Sequence, residues 1–284
     1  MIFPNPLHIA HRCGTVRGGK EVIGMLYDEI AASWRKKKIR TAADIALEMN
    51  GNGAAFVYHS AKIENDSITY HDTREIFDHG GVTSYTGDVR SLFEIQNSVT
   101  AYYRMLDAFE KRETMSEALI CEFQALLTQG TYDTLRYQKG ERPGSYKKHD
   151  YVTGAKEVGA LPEDVPEELA ELITELEGVE PHQALTAAAY FHAKFENIHP
   201  FADGNGRTGR LLMNYLLLLW DHPPVIIHEE DRKDYYAALE CFDAEQQLEP
   251  LAGFLKGQTV KTWQTRFERE CRRKDQSNSS ENRL

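Results

Sequence analysis

The segment HPFADGNGRTGR, residues 199–210, places one histidine, one aspartate, three glycines and two arginines directly ahead of the apolar run Leu211 to Trp220. Glycines at 204 and 206 allow neighbouring backbone N–H groups to converge on one point and a ligand to approach closely. If a helix begins there, its free N–H groups and the positive end of its dipole make an anion site suited to phosphate. Arg207 and Arg210, three apart, fall on nearly one helical face and can each fork onto phosphate oxygens. Asp203 would repel a phosphate unless a cation lies between them, and Mg²⁺ held by one carboxylate plus phosphates removes that conflict. His199 has the pKa range of a general base for a hydroxyl nucleophile. Together these residues point to phosphoryl or nucleotidyl transfer to a hydroxyl, driven by positioning and charge stabilisation. The bland reading is a glycine-rich turn with surface arginines and a satisfied histidine. It would be preferred for an isolated G-x-G but not for this combination.

A loop of this kind needs a helix on each side. Pro181 to Phe195 and Arg207 to Trp220 carry helical patterns, and the second is apolar nearly all round, as a buried central helix would be. The turn at Asp203, Gly204, Asn205 and Gly206 would join them, with Arg207 opening the second helix. Apolar spacing also predicts helices over 21–38 (Val22, Ile23, Leu26, Ile30 and Trp34 inward), 53–64 (Phe56, Val57 and Ile63 inward), 89–109, 116–127, 166–176, 231–242 and 248–267. Thr41 is placed to cap a further short helix ending near Asn50. Residues 128–168 lack helical period and are rich in Gly, Pro, Lys and Tyr, so the spacing predicts a long functional loop containing a β-hairpin. The final residues, RRKDQSNSSENRL, have almost nothing to bury, and disorder is expected.

With 284 residues, 41 % hydrophobic, the chain can build a substantial core, and its net charge of −11 gives it no overall attraction for nucleic acid or anionic membranes. The basic run Arg35 to Lys38 lacks interleaved aromatics and reads as a solvated helix face. Cys13, Cys121, Cys241 and Cys271 are scattered, which suggests neither a zinc site nor a disulfide framework and fits a reducing, cytoplasmic location. No secretory signal pattern or membrane-spanning run is visible.

At residues 199–210 the sequence resembles the Fic family, the AMP-transferring enzymes of the Fido fold, whose motif H-x-F-x-[DE]-G-N-[GK]-R-x-x-R is matched at every specified position. The resemblance implies a mostly α fold, a helical core around a buried central helix with a β-hairpin flap. It implies an N-terminal helical extension (1–45), a Fic domain (46–265) containing an inhibitory helix near 53–65, and a disordered tail (266–284). It implies protein AMPylation: AMP passes from Mg-ATP to a Ser, Thr or Tyr hydroxyl of an unidentified target protein, and pyrophosphate leaves. His199 would be the base, Phe201 a buried loop anchor, and Asp203 the Mg²⁺ ligand. The turn Gly204, Asn205 and Gly206 would hold the ATP phosphates and Arg207 and Arg210 their β/γ end, with Tyr235 and Tyr236 at the adenosine. The hairpin near Lys147–Lys156, with Tyr151, Val152, Thr153 and Gly154, resembles the flap that would align a target segment by strand addition. Asp243 stands where many relatives have asparagine, which bears on base selectivity. Self-modification and a homodimer stay open; membrane and nucleic-acid partners are not expected.

Many family members inhibit themselves through [ST]-x-x-x-E-[GN], whose glutamate pairs with the second motif arginine. The pattern occurs twice, at Ser60–Glu64–Asn65 and at Ser277–Glu281–Asn282. A glutamate that competes with phosphate must be held rigidly, or ordering entropy erases the pairing. Glu64 has Phe56, Val57 and Ile63 to anchor its helix, with Ser60 one turn away to fix the carboxylate, whereas Glu281 has no anchor. Glu64 is therefore the expected inhibitor, paired with Arg210. Two alternatives stay open: removal of AMP by the same site, alone or in a bifunctional enzyme, and a nucleotide-sensing, antitoxin-like binding protein.

Overall fold

The computed structural model describes residues 17–151 and 159–281. In chain order its helices are α1 (Arg17–Lys37), α2 (Ala42–Met49), α3 (Asn52–Glu64), α4 (Tyr70–His79), α5 (Val89–Lys111), α6 (Glu117–Thr128), α7 (Thr134–Gln138), α8 (Val165–Glu175), α9 (Ala184–Ile198), α10 (Asn205–Leu219), α11 (Arg232–Glu245) and α12 (Glu249–Glu281). The described residues form no strand. Of the hairpin expected at 147–156, Lys147 to Tyr151 take irregular conformations, and Val152, Thr153 and Gly154 lie outside the described residues.

Capping residues set the helix starts. Thr41 and Asp44 make a reciprocal capping box on α2, and Asp88 and Ser116 accept first-turn N–H groups of α5 and α6. Helix α10 runs through the core: Leu212, Met213, Tyr215 and Leu217 are fully buried on all sides of it. It packs against α9, α6, α5 and α3. Asn214 is the polar interruption in its apolar run. Its amide donates to the Arg210 and Val225 carbonyls (2.9 and 3.1 Å) and accepts from the Val225 N–H (2.6 Å), so it ties the irregular segment after α10 to the helix.

Several expectations need correction. Helix α10 begins at Asn205, because Gly204 and not Arg207 marks the helix boundary. Val22 and Ile23 are 64 % and 40 % exposed, while Ile30 and Trp34 further along α1 are buried. Helix α7 forms inside the stretch read as loop, capped by Asp133. Helix α12 continues to Glu281, through much of the segment for which disorder is expected. Its packed first half, including Leu251, Leu255 and Trp263, supplies the nucleus, and each added residue then needs only one more hydrogen bond. Lys37, in the basic run, is bound to Glu48 (2.6 Å) and Glu270 (2.8 Å). No described helix is long and apolar enough to cross a membrane.

Candidate active site

Helix α9 ends at His199, whose backbone is left-handed (φ 50°) and whose N–H closes the helix on the Phe195 carbonyl (3.0 Å). A non-glycine residue persists in that region only when its surroundings hold it there. The loop is stitched on several sides. Phe201 is fully buried, with Tyr146 and Phe195 rings 5.7 and 6.4 Å away. The Asn205 side chain accepts from the Phe201 N–H (2.9 Å) and donates to the Phe201 carbonyl (2.8 Å). Gln124 of α6 donates to the Asp203 carbonyl (2.8 Å). The N–H groups of Lys147 and Ala160 donate to the carbonyls of Pro200 and Ile198, both at 2.9 Å. Gly204 adopts φ 82°, and a Cβ there would meet Thr128 Cγ2 at 2.6 Å, so both conformation and space require glycine.

The first intrahelical bond of α10 runs from the Thr208 N–H to the Gly204 carbonyl (3.0 Å). The N–H groups of Asn205, Gly206 and Arg207 precede it and have no acceptor within the helix, which makes the predicted anion seat. Asn205 contributes only its main chain, since its side chain is spent on Phe201. Arg207 is 3 % exposed; its Nη2 lies 3.4 Å from Asp203 and its Nη1 3.6 Å from Glu94. Its Nε and Nη1 have no hydrogen-bond partner.

Arg210 is as deeply buried and is fully engaged. Its Nη2 donates to Glu64 (2.8 Å) and to the Ser60 carbonyl (2.8 Å), its Nε to Ser60 Oγ (3.2 Å) and its Nη1 to the Tyr235 hydroxyl (3.5 Å). Burial works against its charge, but Glu64 and Tyr235 outweigh that and hold its pKa above the ordinary value. Ser60 thus binds the arginine and not the Glu64 carboxylate. A Cβ on Gly206 would collide with that carboxylate and would come within 2.9 Å of Arg210 Nη1. Glu64 therefore occupies the space directly over the glycine turn.

His199 is pushed down to about 4, first by burial and then by the Lys147 charge, so its ring is neutral near neutral pH. Lys147 is itself 2 % exposed and lowered by burial. Asp203 accepts from Arg90 (2.9 Å), with Arg136 at 3.8 Å. Mg²⁺ bound by one carboxylate and phosphates would ask no more of the protein than Asp203. Among the described residues no group of three or more His, Cys, Asp or Glu could hold a metal by itself. Tyr235 is 1 % exposed and bonds His192 Nε2 (2.7 Å), so it offers no face to a nucleotide. Tyr236 is 41 % exposed. Asp243 accepts from Asn197 (2.9 Å). Sequence reasoning missed Arg90, Gln124, Arg136, Lys147, His192 and Glu196. Only His192 and Glu196 left a signal, a titratable pair four residues apart on the helix that ends at His199.

Comparison with known proteins agrees with this geometry. Residues 114–217 match the Fic/DOC family. Protein adenylyltransferase Fic of Drosophila persimilis is 31 % identical over 216 residues, 72 % of this chain and 39 % of that protein. The chain thus spans less than half the length of the curated relatives it matches. A Fic domain containing signaling protein from Bacteroides thetaiotaomicron superposes with a TM-score of 0.69 at 23 % identity, covering 87 % of this chain and 95 % of that one. Fic-1 from C. elegans gives a TM-score of 0.70 at 23 % identity, covering 91 % and 73 %. At that identity the structural likeness speaks for the fold. Taken with the motif match and the glycine turn at the start of α10, these findings place the chain in the Fic/DOC family.

Proposed function

We propose that this chain is a protein adenylyltransferase that moves AMP from ATP to a hydroxyl of a target protein and is restrained by its own Glu64. The observation that carries the reading is the carboxylate of Glu64 lying over Gly206 and bound to Arg210 (2.8 Å), a carboxylate where a phosphate would sit. The names of the curated relatives support the reaction.

In the reaction, the N–H groups at the start of α10 and the forks of Arg207 and Arg210 hold the triphosphate. Neutral His199 takes the proton of the incoming Ser, Thr or Tyr hydroxyl. The hydroxyl oxygen bonds to the α-phosphorus as the bond to the bridging oxygen breaks, and that oxygen leaves with pyrophosphate. Asp203 is the residue that would hold Mg²⁺, which supplies neutralisation of phosphate charge when bound. Tyr236 is the exposed aromatic available to the adenosine. The segment containing Tyr151, Val152, Thr153 and Gly154 would align the target, its two ends pinned to Pro200 and Ile198.

The test is label transfer. ATP radiolabelled at the α-phosphate should mark protein when incubated with the Glu64→Gly form, and ATP labelled at the γ-phosphate should not. Marking from the γ-position alone would mean phosphate transfer and would overturn the proposal.

A further inference from the structure

Three guanidinium groups converge on the Asp203 carboxylate, and two of them come from outside the 199–210 motif. Arg90 of α5 reaches it at 2.9 Å, Arg207 at 3.4 Å and Arg136 of α7 at 3.8 Å. Arg136 is a built group. Its Nη1 donates to Asp133 (2.7 Å), its main-chain N–H donates to the same carboxylate (2.8 Å), and its guanidinium lies 5.8 Å from the Tyr132 ring centre. Asp133 also caps α7, so the short helix and the arginine are fixed together.

Two of the three arginines keep buried donors without partners. Arg136 Nε, Arg207 Nε and Arg207 Nη1 are all buried and have no hydrogen-bond partner, although Asp133, Glu94 and Asp203 stand around them. Buried donors left without acceptors are costly and rare in folded proteins, and each calls for a partner such as a bound water, ion or ligand. Arg210 offers a contrast, since each of its nitrogens already has a partner. A partner with several acceptor oxygens, spaced to reach both Arg136 and Arg207, would complete them, and a phosphate chain meets that description.

We propose that Arg136 and Arg90, from outside the motif, join Arg207 at the pyrophosphate end of the nucleotide and hold the pyrophosphate as it departs. This rests on the nucleotidyl-transfer reading above. When the bond between the α-phosphorus and the bridging oxygen breaks, the electron pair stays on that oxygen and the new negative charge appears on pyrophosphate. The hydroxyl proton goes to His199. Arg136 and Arg90 meet that charge from their places beside Asp203, so α5 and α7 carry part of the phosphate site that the motif alone does not supply.

The experiment measures binding of pyrophosphate and of AMP to the Glu64→Gly chain by calorimetry, with and without Arg136→Gln. Pyrophosphate should bind about tenfold more weakly to the Arg136→Gln form, the loss of one charge-assisted fork, while AMP binding stays unchanged. Arg136→Lys, which keeps the charge but not the fork, should recover part of the loss; circular dichroism confirms that each form is folded. An unchanged pyrophosphate affinity, or an equal loss for AMP, overturns the proposal, because a merely structural arginine would damage both ligands alike. The two readings fail separately. Normal α-label transfer with unchanged pyrophosphate binding sinks this inference alone. Absent label transfer with selectively weakened pyrophosphate binding sinks the reaction and leaves the anion site standing.

Discussion

His199 is held in a left-handed conformation by its neighbours and kept neutral by burial, which is the state a proton acceptor needs. His199→Ala should therefore abolish AMP transfer while leaving ATP binding within about twofold, since the residue supplies base chemistry and not phosphate contacts. In the free protein its imidazole should titrate near 4 by NMR; a midpoint at the ordinary value would remove the electrostatic argument. Gly206 faces the Glu64 carboxylate so closely that any side chain must displace it. Gly206→Ala should displace Glu64 in the unaltered chain, and in the Glu64→Gly background it should lower transfer at least about tenfold, because the new methyl would sit where the proposed phosphate approaches. Activity equal to that of the Glu64→Gly parent would show that the turn does not contact phosphate. The residue types of the motif were enough to find this centre. Their individual duties were less readable, because they depend on direction. Nothing in the sequence says that the Asn205 amide points back to Phe201, that Ser60 reaches Arg210 and not Glu64, or that Tyr235 turns inward while Tyr236 does not.

Helix α3 carries Glu64 and is clamped by Phe56, Val57, Ala61 and Ile63, all buried. Two further contacts fix its outer side: Tyr58 donates to Glu229 (3.4 Å), and His59 accepts from the Glu229 N–H (3.2 Å). The Glu64 carboxylate is thus carried by a packed element. That is how a side chain 33 % exposed stays paired with a buried arginine. Ser60→Ala removes one donor contact of Arg210 but leaves the Ser60 carbonyl and Glu64 in place. It should raise basal transfer only about two- to fivefold, well short of Glu64→Gly, by the worth of one ordinary hydrogen bond. An effect as large as that of Glu64→Gly would move the inhibitory role to Ser60. Long amphipathic helices with capping residues, such as α2, α5 and α6, could be read directly from periodicity. The short α7 could not: its five residues lack a period, and its form depends on the cap from Asp133 and on Tyr132 and Asp203 nearby. Arg136 and Arg90 went unseen for the same reason, since only the tertiary fold brings them to the motif.

Burial of several titratable groups gives the whole molecule a pH signature. His59, His199 and His222 are pushed down to about 4 and His192 to about 3, in each case first by desolvation. Their unfolded values lie near 6.5, so between about pH 4 and 6.5 the unfolded chain binds more protons and stability rises with pH. Glu196 is raised to about 8 by burial and opposes this, because the folded chain keeps a proton that the unfolded chain loses above about 4.5. The histidines outnumber it. The melting temperature should fall as pH drops from about 6.5 toward 5, and Glu196→Gln should make the fall steeper by removing the opposing proton. A melting temperature that stays flat over this range would mean that the histidines are not buried as described.

These features meet in one arrangement, a glycine turn at the start of α10 covered by a carboxylate from α3. The most direct measurement is the initial rate of protein labelling from α-labelled ATP by the unaltered chain and by Glu64→Gly, side by side at equal concentration. Loss of one charge-assisted bond to a buried arginine predicts a rise of about tenfold to a hundredfold in the Glu64→Gly form. Equal rates in the two forms would contradict the account.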